Sequence, residues 1–335
     1  MILKHFYLHT LIITFIFSGC DSKSFGMFND SDGIPVNRFD IALFQWIDTD
    51  DPELLQTVIS NYPQMLAMLG NALFKTNHPD SSAFFNQLKN YYAEPALKSL
   101  YNDAISFYNA NSPAFRQIES ELSCGFAHLQ SLLPSMQIPA VYLHVSGLQQ
   151  NIIVADSLLS ISIDKYLGTG YPLYQDFFYD YQLKSMAPEC AAKDGLYAWL
   201  SSEYPHPEQE RTLLDKMIYE GKIIYMLTQA GNKYSYQQIM SLTANEYKWH
   251  LKNEAASWKT MLERKHPDTT DAATISRYFQ PAPSLFISEE APGNIGNFIG
   301  YRIVAQYMKQ TKSDCVNLMN NSNAQEILKK SKYKP

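Results

Sequence analysis

Between residues 138 and 163 the hydrophobic pattern changes period, and this change constrains the fold more than any other feature of the chain. Before it, apolar residues recur at helical spacing, as Leu54, Val58, Tyr62 and Met65 in one stretch and Phe115, Ile118, Leu122 and Phe126 in another. Asp51-Pro52 and Ser112-Pro113 each place a capping residue before a proline at the first helical position, marking two helix starts. Asn37 to Phe44 reads as a short amphipathic entry. Residues 139–145 then alternate, followed by 151–155 and 159–163, with Ser146-Gly147 and Asp156-Ser157 as punctuation. These segments predict three short strands in a small antiparallel sheet. Asp164 to Gly168 leave the sheet, and Gly168, Gly170 and Pro172 mark a loop. Helical spacing returns near His206-Pro207-Glu208 and runs through Leu213, Met217, Glu220, Ile224 and Leu227 to about Gly231. Further helices are expected over 236–240, 245–264, 295–308 and 324–330, with a loop at Pro281, Pro283, Pro292 and Gly293. The expected fold is α+β and predominantly helical, with the small antiparallel sheet packed on a long central helix. Residues 35–137 form its helical N-terminal region, integrated with residues 138–335 into one globular unit.

The N-terminus carries a different signal. Lys4 precedes an apolar run over 6–17 that ends in Phe17-Ser18-Gly19-Cys20. A basic start, a short apolar core and small residues at the cut make residues 1–19 a secretory signal peptide. The run is shorter than the roughly 20 residues a spanning helix needs. A small-small-Cys ending allows the Cys20 thiol to be acylated and to become the new N-terminus. The plainer alternative is an ordinary cleaved signal that leaves Cys20 as a free thiol, a reactive liability in an exposed tail. Residues 20–34, rich in Ser, Asp, Asn and Gly, read as a flexible tether.

Composition narrows the function classes. A formal charge of −6, without a basic stripe, argues against nucleic acid or anionic headgroups as main partner. Beyond Cys20 the cysteines are Cys124, Cys190 and Cys315, an odd number with no CxxC spacing, so nothing requires a disulfide. The chain after residue 19 contains no HExxH, no GxSxG elbow and no phosphate-cradling glycine loop. Neither a metal nor a cofactor is expected.

Several ordered segments carry a family resemblance. They are Ile161-Ser162-Ile163-Asp164-Lys165-Tyr166-Leu167-Gly168, Glu220-Gly221-Lys222-Ile223-Ile224-Tyr225, and Asn253-Glu254 followed by Trp258. Pro292-Gly293-Asn294-Ile295-Gly296-Asn297-Phe298-Ile299-Gly300-Tyr301-Arg302-Ile303-Val304 and the terminal Ser331-Lys332-Tyr333-Lys334-Pro335 complete the set. Together they make the chain resemble the gliding-motility-associated lipoproteins called GldB, of the Bacteroidetes. The resemblance implies a cell-envelope lipoprotein needed for gliding and for the associated type IX secretion machinery, with unidentified protein partners there. It implies no known enzymatic activity. A hairpin followed by a long helix at Tyr219-Glu220-Gly221-Lys222-Ile223 is also similar to the layout of HExxH zinc metalloproteases. On that pattern Tyr219 and Ile223 replace the two His ligands, while Glu220 stays at the position of the base. The implied core is zincin-like but degenerate. The alternative is an envelope hydrolase with Glu220 in the cleft. The tether lacks an acidic run after Cys20, which favours the periplasmic face of the outer membrane.

Eight residues follow as candidates to line a cleft: Asp164, Tyr166, Tyr219, Glu220, Trp249, Asn253, Glu254 and Trp258. Each has a plainer reading. Asp164 suits a loop cap or a hydrogen-bonded hold on the central helix, Glu220 a surface or salt-bridged carboxylate, and the Trp residues core packing with Asn253 and Glu254 hydrogen-bonded inside. Lys222 reads as a paired or solvated charge, and Gly296 and Gly300 as a close helix contact.

Overall fold

The computed structural model describes residues 33–75, 81–207, 211–231 and 234–335. The signal peptide, Cys20 and all but the last residues of the tether lie outside the described residues. The chain enters through β1 (Val36–Asn37) and a helical block of α1 (Phe39–Thr49), α2 (Pro52–Asn61), α3 (Pro63–Phe74), α4 (Ser82–Ala93), α5 (Pro95–Phe107) and α6 (Pro113–Leu132). Strands β2 (Ala140–His144), β3 (Ile152–Ala155) and β4 (Leu158–Ser162) follow. Then come α7 (Pro172–Phe177), α8 (Asp180–Leu183), α9 (Cys190–Glu203) and α10 (Leu213–Gln229). The C-terminal part contains α11 (Tyr236–Ile239), α12 (Ala244–Lys252), α13 (Glu254–Glu263), α14 (Ala272–Phe279), α15 (Ile295–Thr311), α16 (Cys315–Asn320) and α17 (Ala324–Ser331).

The two proline-marked starts form as their chemistry dictates. Asp51 accepts from the Glu53 amide at 2.8 Å and Ser112 from the Phe115 amide at 3.1 Å, satisfying amides that have no partner within the helix. The sheet departs from expectation. It is mixed and four-stranded, in the order β1-β2-β4-β3, with β1 and β4 parallel to β2 and only β3–β4 antiparallel. Burial explains the order. All five residues of β4 are buried, so it needs a neighbour on each side, whereas the half-exposed β3 takes the edge. Two-residue β1, too short to show a period, pairs Val36 with Val141, and the Asn37 side-chain amide adds a bond to the Val141 carbonyl at 3.0 Å.

Helix α9 lies on β3 and β4, whereas the long α10 packs on α15 and α9. A Cβ at Gly195 would come within 3.1 Å of the Ile161 side chain, so this glycine sets how closely α9 approaches β4. The other main contacts are α1 on β2 and α6 on α9. The expected helix over 245–264 is broken at Asn253, where φ −107° and ψ 14° interrupt the spiral. Its side chain donates to the Trp249 carbonyl at 2.9 Å, the local competition that makes Asn a poor helix-interior residue.

One apolar cluster runs from Val36 to Tyr333 and joins both halves of the chain. A smaller cluster of Tyr174, Leu183 and Met186 stands apart from it. Among the described residues no helix is long and apolar enough to cross a membrane.

Candidate functional site

Helix α10 is fixed at its start and at its middle. Thr212 and Asp215 form a reciprocal cap, the Thr212 hydroxyl accepting from the Asp215 amide at 3.1 Å and the Asp215 carboxylate from the Thr212 amide at 2.9 Å. At its middle, Gly221 meets Gly300 of α15 backbone to backbone. A Cβ on Gly221 would lie 2.4 Å from the Gly300 carbonyl, and one on Gly300 would lie 1.9 Å from the Met217 oxygen. The close-contact reading of Gly300 therefore describes the α10–α15 crossing. Gly296 faces the Phe279 ring and the Tyr278 Cβ, and Gly293 the carbonyls of Gln280 and Pro281.

Next to this crossing Glu220 is engaged by Tyr197 of α9, whose hydroxyl donates to the carboxylate. Burial raises the Glu220 carboxyl above its usual range, with the Tyr197 bond and the Lys216 charge pulling it back. Burial and then the Glu220 charge push the Tyr197 phenol well above its usual range, so it keeps its proton and stays a donor. Tyr219 is half-buried, its hydroxyl 3.4 Å from the Ser201 carbonyl and its ring edge-on to His206 at 4.8 Å. Ile223 is fully buried in the core and offers no ligand atom. Lys222 donates to the Asn321 carbonyl at 2.5 Å, which ties α10 to the loop after α16.

Asp164 and Tyr166 lie elsewhere, at the C-terminal ends of β2 and β4. Asp164 is fully buried and accepts from the Ser146 amide at 3.1 Å, the Leu148 amide at 2.7 Å and the Ser162 hydroxyl. It thus holds a tight loop in which Gly147 and Leu148 both take positive φ. Burial raises its carboxyl, opposed by these bonds and by Lys165. Tyr166 donates to Asp194 at 3.0 Å, and its carbonyl accepts from Tyr108 at 2.6 Å.

The remaining candidates lie around the break at Asn253. Half-buried Trp249 packs against the core on α12. Buried Glu254 accepts from Arg302 of α15 and from the Tyr333 hydroxyl, each at 2.9 Å. Trp258 lies edge-on to Tyr333 at 5.7 Å. Glu254 and Trp258 therefore clasp the C-terminal tail.

The structure brings the eight candidates together only in small local sets, each with partners of its own. A cleft of about 740 Å³ opens elsewhere, beside the first turns of α10 and α14. Arg211, Lys216, Ile275, Phe279 and Gln280 line it, with the Lys216 ammonium 4.9 Å above the Phe279 ring. The Pro292-Gly293-Asn294 turn supports its wall, since the Asn294 amide donates to the Gln280 carbonyl at 2.9 Å. Sequence reasoning missed Tyr197, which is remote from Glu220 in the chain and carries no motif. It also missed an exposed aromatic run at Phe177 and Tyr179, whose signal was the density of Tyr and Phe over 171–181. Cys190 and Cys315 are free thiols. Among the described residues no group of three or more His, Cys, Asp or Glu is placed to hold a metal ion.

Neither the curated proteins nor the solved structures yield a match to this chain. A family model described as gliding motility protein GldB matches residues 29–335, nearly the whole chain. The chain belongs to the GldB family of gliding motility proteins.

Proposed function

We propose that this gliding motility protein is a non-catalytic binding or assembly factor of the cell envelope. In this reading a lipid on Cys20 holds it at the periplasmic face of the outer membrane, where it serves the gliding apparatus and the linked type IX secretion machinery. Membership of the family gives the gliding role. The observation that carries the non-catalytic reading is the state of Glu220: its carboxylate accepts from Tyr197, while the flanking positions hold Tyr219 and the buried Ile223. A metal-dependent hydrolase of the HExxH type needs nitrogen ligands at those two flanking positions and a carboxylate free to take a proton from water. The proposed likeness to that scaffold rests on the spacing along α10, since the sheet lies on α9.

Glu220→Gln tests the reading. Glutamine keeps an oxygen that can accept from Tyr197 but cannot act as a base. Gliding at normal protein abundance is expected to persist. Loss of gliding with unchanged abundance would show that the carboxylate does chemistry, in favour of an envelope hydrolase. One firmly bound zinc per purified chain would also overturn the non-catalytic reading.

A further inference from the structure

The chain between β4 and α9 builds a projecting unit around its own small cluster of Tyr174, Leu183 and Met186. Tyr174 ties it down by donating to the Asp164 carbonyl at 2.5 Å, and Tyr171 does so by donating to Asp103 of α5 at 2.7 Å. Its outer side is aromatic. Phe177 is 67% exposed and Tyr179 is 72% exposed, and the Tyr179 ring lies nearly parallel to Tyr181 at 5.7 Å. One turn along α5 from Asp103, Phe107 is also exposed. Single exposed apolar residues need no explanation, but rings gathered on one ordered segment mark a contact surface.

Charge says what kind of partner fits. Asp176 and Asp180 flank the rings, are exposed, and form no ion pair with any described residue. The cations of the same unit are already engaged. Lys165 donates to the Leu148 carbonyl at 3.1 Å and lies 4.3 Å over the Phe178 ring, and Lys184 pairs with Glu246 at 2.5 Å. The surface therefore offers π faces and uncompensated negative charge, which suit cationic side chains on an extended backbone.

Topology argues against a lipid surface as occupant. Strands β1, β2 and β4 are parallel, and the projecting unit follows the C-terminal end of β4. The described residues begin at the opposite end, where Gly33 abuts Ser123 and the Ile34 amide donates to the Ser123 hydroxyl at 2.8 Å. The aromatic end is thus remote from the end at which the described chain begins, and its acids would repel anionic headgroups.

We propose that the Phe177–Tyr179–Tyr181 surface docks a basic, extended peptide segment of a protein partner. The proposal rests on the binding-factor reading above. The test replaces Tyr179 by the photo-crosslinking residue benzoylphenylalanine in the full-length protein in its own cells. The expected result is an adduct to a protein peptide of net positive charge, lost when Asp176→Lys and Asp180→Lys are combined. Lipid adducts alone, adducts to acidic peptides, or no adduct would overturn it. A second arm measures binding of a fluorescent Arg-Pro repeat peptide to the purified full chain. Phe177→Ala with Tyr179→Ala should weaken that binding about tenfold or more at unchanged thermal stability, equivalent to about 1.4 kcal/mol. Unchanged binding in that variant, or no binding by the parent, would refute the proposal. Failure of both arms while Glu220→Gln cells still glide removes this surface and leaves the non-catalytic reading standing. Loss of gliding in Glu220→Gln removes the latter.

Discussion

Replacing Gly300 by alanine should destabilise the protein although it favours the helix locally. The added Cβ would sit 1.9 Å from the Met217 carbonyl oxygen, where ordinary contact begins near 3.4 Å. The obstacle is backbone of α10 and cannot rotate away, so the two helices must part by about 1.5 Å at the Gly221–Gly300 crossing. Overpacking of this kind costs about 1–3 kcal/mol, and separating the helices forfeits further dispersion contacts along both. Alanine recovers about 1 kcal/mol of helix propensity over glycine. Because the obstacle is backbone, the cost falls at the upper end of that range, and the net loss is about 2 kcal/mol, or roughly 3–4 °C in Tm for a chain of this size. Thermal unfolding of the purified full-length protein, followed by far-ultraviolet circular dichroism, measures it. Gly170→Ala serves as the control, because nothing lies within 4 Å of a Cβ there, and it should leave Tm unchanged or slightly raised. A Gly300→Ala protein as stable as the parent would refute the claim that this crossing sets the position of α10.

Burial holds His144 at a pKa of about 3, against an ordinary value of 6.5. The unfolded chain therefore binds more protons between these values, and stability is lost as pH falls from 6.5 towards 3, by at most about 5 kcal/mol from this group. His250, held at about 4, acts in the same direction. The raised carboxyls of Asp164 and Glu220 act oppositely, favouring the folded state as they take up protons. The informative quantity is thus the difference between variants: His144→Gln should show a shallower loss of stability from pH 6.5 to 4 than the parent in urea titrations, and identical slopes would contradict the assignment. Asp164→Asn leaves one carboxamide oxygen where two backbone amides and a hydroxyl now donate, so a loss of about 2–4 kcal/mol is expected by the same titration. A near-neutral result would mean that the cost of burying the charge outweighs those bonds. Tyr333→Phe removes one bond to the Glu254 carboxylate and should cost about 1–2 kcal/mol, with amide exchange in the last four residues rising. Unchanged exchange there would show that Trp258 packing alone holds the tail.

Local chemistry was legible in the sequence, and distant pairing was not. Asp51-Pro52 and Ser112-Pro113 contain their own cap and first turn, so both starts could be placed from adjacent residues. The resemblance could be drawn for the same reason, because its motifs are short and contiguous. The parallel pairing of β2 with β4 depends on which strand needs cover on both sides, and alternation within each strand says nothing of that. Asn253 sat inside an apolar period that favoured one helix, yet its side-chain bond to Trp249 stopped it. The acceptor role of Glu220 required Tyr197 on another helix, a partner no local spacing could supply. Glu220 meets Tyr197 and Trp258 meets Tyr333, pairings that helical periodicity could not foretell, because it reports which residues share a face, not which faces of different helices meet.

The geometry of the chain makes a binding role economical. With a lipid on Cys20, thirteen residues reach Gly33, and even fully extended they span at most about 45 Å. The fold is then confined to a thin layer beside its membrane, where components of the same layer are held at high effective concentration. Under that confinement a small aromatic and acidic surface suffices, because much of the translational cost of association is met by the anchor rather than by the interface. The parallel strands put this surface and the incoming chain at opposite ends of one sheet, braced by the bonds Asp164 makes behind the projecting unit. On the proposed reading, a spacer with a lipid at one end and a peptide-sized contact at the other would need no catalytic carboxylate.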